Sequence, residues 1–130
     1  MVDALRAAHR AVKRGGFVID ARPDAARPPR LVAGGRVRGR LEQTAETNAD
    51  DAAADRAVER VLAEGLFRRA RAGCLWFRTT YRDLAELDAY LVESARFSRY
   101  PPATRRALLP FRKGPIHARR ALKFDVLERL

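Results

Sequence analysis

Asp20, Arg22 and Asp24 stand at alternate positions just after the apolar run Phe17-Val18-Ile19, two carboxylates around one guanidinium. If that run is a strand, all three crowd its C-terminal end, where open α/β sheets place their ligands. They are the candidates for the substrate side of a site, set against the plainer reading of a polar loop above a sheet. His9, Cys74 and His117 lack ligand spacing, so no metal centre or Cys–His pair is expected. Asp83, with Glu86 three residues on, reads as a helix start and not as an acid–base pair. Gly34-Gly35 and Gly39 do not carry a strand into a helix, so they make no dinucleotide fingerprint. The chain has no phosphate loop, zinc-protease pattern or nucleophile elbow, and no catalytic residue is assigned.

The charge balance points in another direction. Of 27 basic residues, only positions 13, 113 and 123 are Lys, and the net charge is +11. Residues 1–65 hold 12 basic and 10 acidic residues, and residues 66–130 hold 15 and 6, giving +2 and +9. Such a surface attracts phosphate at long range. Trp76, Phe77, Tyr81, Phe97 and Tyr100 lie among these arginines, and aromatic rings can stack on bases. A small basic module for nucleic acid or another polyanion is therefore the alternative function, and a structural homodimer a further one. Against nucleic acid, the arginines are spread over several elements instead of one recognition helix, and the aromatics could equally be core.

The composition, 47% apolar and 33% charged over 130 residues, fits one globular domain spanning 1–130. No stretch approaches the ~20 apolar residues of a membrane span, and Met1–Val12 lacks the apolar centre of a secretory signal. A lone cysteine allows no internal disulfide, so a cytoplasmic location is expected.

The elements that would position these residues follow from periodicity and turn chemistry. Asp3 caps a helix carrying Leu5, Ala8 and Val12 on one face, and Gly15 ends it. Gly16–Ala21 does not alternate with polar residues and reads as a parallel strand buried on both faces. Arg22–Arg30, with Pro23, Pro28 and Pro29, is a loop. Leu31–Ala33 and Val37–Leu41 flank Gly34-Gly35 as a hairpin. Arg36, Arg38 and Arg40 alternate along the second arm, where charge guards an exposed edge; an anion-binding ladder is the alternative. Thr47–Glu64 is helical, with a stripe of Ala54, Val58, Val61 and Leu62, and Gly65 stops it. Leu66–Ala72 and Cys74–Tyr81 are extended segments around Gly73, with Leu75-Trp76-Phe77 the stretch expected to be most buried. Asp83 begins a helix bearing Leu84, Leu87 and Leu91, and Pro101-Pro102 begins a short one ended by Pro110. Ile116–Leu127 alternates, Leu122, Phe124 and Val126 against Lys123 and Asp125, as an antiparallel edge or near-edge strand would.

In this order the run Ala4–Ile19, with Val12-Lys13-Arg14-Gly15-Gly16-Phe17, resembles a late segment of class I S-adenosylmethionine-dependent methyltransferases. There a helix ends in a pattern like Arg-x-Leu-Lys-Pro-Gly-Gly and runs into the fifth strand. Val12 stands where Leu is common and Arg14 where Pro is common, and both substitutions keep a helix end before the glycine pair. Glu64-Gly65-Leu66-Phe67, Tyr81–Leu87 and the last strand are similar to the family's closing pattern, in which the sixth and seventh strands pair antiparallel.

The resemblance implies an α/β fold holding a partial Rossmann-like methyltransferase sheet, its fifth to seventh strands, with flanking helices and a helical insert before the last strand. It implies the C-terminal half of a methyltransferase, a truncated or split form without the Gly-rich turn and acidic strand end that grip S-adenosylmethionine. No tight cofactor binding by this chain alone is then expected. An unpaired sheet edge would drive it to homo-oligomerise or to join an N-terminal methyltransferase half.

Overall fold

The computed structural model describes residues 1–130. Their contacts form two compact units, one of Met1–Pro23, Ala49–Leu75 and Leu122–Leu130, the other of Asp24–Asn48 and Trp76–Ala121. Helices flank a mostly antiparallel sheet, an α/β arrangement. No helix is long and apolar enough to cross a membrane.

In the first unit helix α1 (Val2–Ala11) buries Leu5. The chain leaves the helix at Val12, already extended, and turns at Lys13–Gly16, where the Gly16 amide donates to the Lys13 carbonyl at 2.8 Å. Gly15 takes a φ of 74°, the left-handed value that this type II turn needs at its third position. The glycine pair thus turns the chain one step beyond the helix end, and strand β1 (Phe17–Pro23) begins at once. Its partner is strand β7 (Ile116–Arg129), antiparallel from Phe17↔Glu128 to Pro23↔Leu122.

Two expectations are corrected here. β1 is not parallel, and it is not buried on both faces: Phe17 and Ile19 are 57% and 69% exposed. Only the Val18 side meets a helical layer, so an unbroken apolar run was no sign of two-sided burial. β7 is antiparallel, as its alternation predicts, and takes the near-edge place. In the first unit it lies between β1 and strand β5 (Phe67–Tyr81). The pairs Arg68–Glu128 and Thr80–His117 run in opposite order along the two strands, so β5 is also antiparallel to β7.

Helix α2 (Ala45–Ala63) brings Ala54, Ala57, Val58 and Val61 to one buried stripe. Beyond it the Leu66 amide donates to Val61 and the Gly65 amide to Leu62, with Gly65 at φ 69°, a Schellman end. The core joins this stripe to Leu5, Phe67 and Leu127, with Val18 packed against it. Gly73 does not interrupt β5: a Cβ there would lie 2.8 Å from Cζ of Phe124, so the missing side chain makes room for that ring.

The second unit is built on a hairpin. Strands β2 (Arg30–Ala33) and β3 (Arg36–Arg40) meet through Gly34 and Gly35, both at positive φ as a tight two-residue turn requires. β2 also pairs antiparallel with the first residues of β7, Leu31 opposite Ala118. A short ladder joins β4 (Glu42–Gln43) to β6 (Ser98–Arg99). Helix α3 (Leu84–Glu93) is capped by Asp83, which accepts from the Glu86 amide at 2.9 Å, while the Glu86 carboxylate reaches the Arg82 amide. Helix α4 (Pro102–Leu108) runs into a 3-10 turn at Leu109–Phe111. Leu31, Ala33, Ile116 and Ala118 pack with Leu84, Leu87, Leu91 and Leu108, so the helices cover one face of this sheet.

Leu75-Trp76-Phe77, expected to be buried, is exposed, because no helix covers this part of β5. Gly39 permits a close approach of β3 to α4. A Cβ on it would lie 2.9 Å from Cβ of the buried Thr104, whose hydroxyl donates to the Arg40 carbonyl at 3.0 Å. Gly39→Ala is therefore expected to lower stability by about 1–3 kcal/mol through overpacking, measured by urea unfolding.

Candidate functional site

Asp20 and Arg22 point to the same side of β1, opposite Asp125 and Lys123 of β7. Directly opposed like charges repel across a sheet, so each must find its counter-ion elsewhere. Arg22 Nε donates to Asp20 at 2.7 Å, both side chains about nine-tenths buried. One terminal nitrogen of Arg22 lies 3.0 Å from Asp55 and 3.5 Å from the Asp51 carbonyl, and the other 3.9 Å from Asp125. Lys123 Nζ holds both oxygens of Asp55 at 2.7 and 2.8 Å. Arg69 joins Asp125 at 2.7 Å to Glu59 at 2.6 Å. The guanidinium at the strand end is thus saturated by protein carboxylates. The network locks α2 to β1 and β7.

Two carboxyls in it titrate in opposite directions. Burial pushes Asp55 up, but the hydrogen bonds and charges of Lys123 and Arg22 outweigh it and hold Asp55 below the usual carboxylate range. At Asp51 burial wins over those same cations and raises the carboxyl, and one of its oxygens has no hydrogen-bond partner.

Asp24, the third residue of the expected constellation, belongs to the second unit and spends its carboxylate on its own turn. It accepts from the Ala26 amide at 3.0 Å and pairs with Arg27, an Asx-type turn that closes the proline-rich loop. So the structure joins Asp20 to Arg22 and gives Asp24 a separate role. His9 lies edge-on to Phe67 at 5.3 Å, a packing contact.

A different surface stands open. On the sheet of the second unit, the face away from α3 and α4 carries Arg30 opposite Arg119, and Val32 opposite His117. Trp76 of β5 lies beneath the two guanidinium groups, 5.5 Å from Arg30 and 5.9 Å from Arg119. His117 Nδ1 and the Thr80 hydroxyl are 3.0 Å apart. A groove of about 290 Å³ is lined by Val32, Trp76, Phe77, Arg78, His117 and Arg119. It shares Val32, Arg78 and His117 with a larger hollow of about 680 Å³ that reaches Lys113 and the Gly34-Gly35 turn. No acidic side chain lines either.

Of the five aromatics singled out in the sequence, Trp76 and Phe77 line this groove. Tyr81 is core, its hydroxyl accepting from Arg120 at 3.0 Å; Tyr100 packs against the same core; and Phe97 lies beside Arg96. The arginine pair was not legible in sequence, because the match of β2 to β7 spans some ninety residues of chain.

Could these residues hold the cofactor of the resembling family? The Gly34-Gly35 turn joins two antiparallel strands, and β1 runs into a proline loop, so no strand–glycine turn–helix grip is formed by either. The residues present do not fit that group.

Arg22→Ala, which leaves the buried Asp20 without its guanidinium partner, is expected to cost about 3 kcal/mol or more in urea unfolding. Arg22→Lys should recover only part of it, since an ammonium cannot span the same carboxylates. Asp51→Asn should work the other way. A carboxyl raised by folding opposes the folded state where it is ionised, so the variant gains under ~1 kcal/mol at neutral pH. That gain vanishes as acid protonates Asp51 in the wild type, which parallel unfolding curves at neutral pH and below about pH 4 would detect. The chain matches no model of a known protein family, no curated protein and no solved structure.

Proposed function

We propose that this chain is the C-terminal, acceptor-side half of a class I S-adenosylmethionine-dependent methyltransferase fold, with the cofactor grip residing in a different polypeptide segment. The observation that carries this reading is the position of β7, antiparallel between β1 and β5. An antiparallel pair of closing strands is what the resemblance implies for the sixth and seventh strands, here β5 and β7. Three further features support it. A helix runs through Lys13-Arg14-Gly15-Gly16 into β1, α2 separates β1 from β5, and α3 and α4 fill the insert between β5 and β7.

β1 pairs with β7 alone, so its other edge is unpaired, and Phe17 and Ile19 beside it are exposed. An open edge next to apolar side chains promotes strand addition. In this reading a further strand, from an N-terminal methyltransferase half or a second copy, completes a Rossmann-like sheet there. The saturated Arg22 network then acts as a rigid floor under the strand end and leaves chemistry to groups that the completed fold supplies.

Calorimetric titration with S-adenosylmethionine is expected to give no heat of binding for this chain alone, and micromolar binding would overturn the assignment of the grip to another segment. Light scattering is expected to report a mass above that of one chain; a monodisperse monomer removes the argument from the open β1 edge.

A further inference from the structure

We propose that the helix-free face of the second unit's sheet is a binding surface for single-stranded RNA, an inference that stands independently of the methyl-transfer reading. Register places Arg40 opposite Arg30, and Arg30 opposite Arg119, so three strands align three arginines in one row. Like charges opposed across a sheet destabilise it. Several other arginines are answered by carboxylates, among them Arg68 by Glu128, Arg69 by Asp125 and Arg105 by Asp88. None of the three arginines in the row has a carboxylate partner, and neither has Arg78 beside them. A surface that keeps repelling cations together, without counter-ions of its own, is complementary to an anion.

The row extends over about 10 Å at the usual strand spacing, a track and not a point, which suits a phosphate backbone better than a single anion. It ends on Trp76, 42% exposed, with its ring beneath Arg30 and Arg119. A ring beside cations offers a stacking platform for an unpaired base, and a duplex, with its bases already stacked, cannot use it. The Thr80 hydroxyl and the His117 imidazole, on the same face, supply a donor and an acceptor for a 2′-hydroxyl, the group that distinguishes RNA from DNA.

Trp76 is the sole tryptophan, so its emission reports this face directly. Titration of the full chain with a twelve-residue oligouridylate is expected to quench that emission to saturation. The logarithm of affinity should fall with the logarithm of salt at a slope of about −3, for four arginine–phosphate contacts. Arg30→Gln with Arg119→Gln should weaken binding tenfold or more with circular dichroism unchanged. Arg10→Gln with Arg14→Gln, an equal loss of charge from the first unit, should leave it within about twofold. Any of these outcomes overturns the proposal: no quenching at low salt, no salt slope, equal losses for the two double variants, or equal affinity for duplex RNA, oligothymidylate, heparin or polyglutamate.

Discussion

The interior position of β7 governs the rest of the structure. An interior strand must satisfy its backbone donors and acceptors along both edges. β1 serves residues 122–128, β2 serves residues 117–119, and β5 runs along the opposite edge. Because side chains alternate along the strand, this pairing also decides what each face carries. It sends Leu127 to the core with Val18 and Phe67, and Ile116 and Ala118 to the core with Leu31. A slip of one residue between β2 and β7 would set Arg30 against Ala118 or Leu31 against Arg119 and bury a guanidinium among leucines. Register is therefore strongly specified, and the open face is a consequence of the same constraint that forms the core.

The molecule handles its excess positive charge in two ways. Around β1 the cations are consumed locally. Arg22, Lys123 and Arg69 face Asp20, Asp55, Asp125 and Glu59 at hydrogen-bonding distances, and the network is partly buried, where an unpaired charge would be costly. On the open face of β2 and β7 the cations remain in water without partners. The open face draws on both halves of the chain, Arg30 and Arg40 from residues 1–65 and Arg78 and Arg119 from residues 66–130. Net charge says nothing about which arginines are neutralised. Fold geometry separates structural arginines from those left available to a ligand.

That separation reorders the candidate sites. Asp20, Arg22 and Asp24 drew attention because they lie at the C-terminal end of a strand, where open α/β sheets place their ligands. In three dimensions Asp20 and Arg22 neutralise each other within a network that holds a helix to the sheet, and Asp24 shapes a loop. Trp76, by contrast, looked like core, as an aromatic between Leu75 and Phe77 would. It lies instead on a sheet face that no helix covers.

The amino-acid sequence by itself determined the local punctuation. Gly15, the Gly34-Gly35 pair, Gly65 and the Asp83 cap each mark a turn or a helix end through backbone sterics or a side-chain bond over two to five residues. The helix stripes of α2 and α3 were equally legible, since burial repeats every three to four residues within one segment. Only the tertiary structure decided that β1 is antiparallel, that β5 continues through Gly73 and that β7 is interior. It alone brought Arg40, Arg30 and Arg119 into one row. Each of these depends on pairing between strands far apart in the chain, and a strand's own composition does not encode which neighbour it will meet, in which direction, or whether a helix will cover its second face.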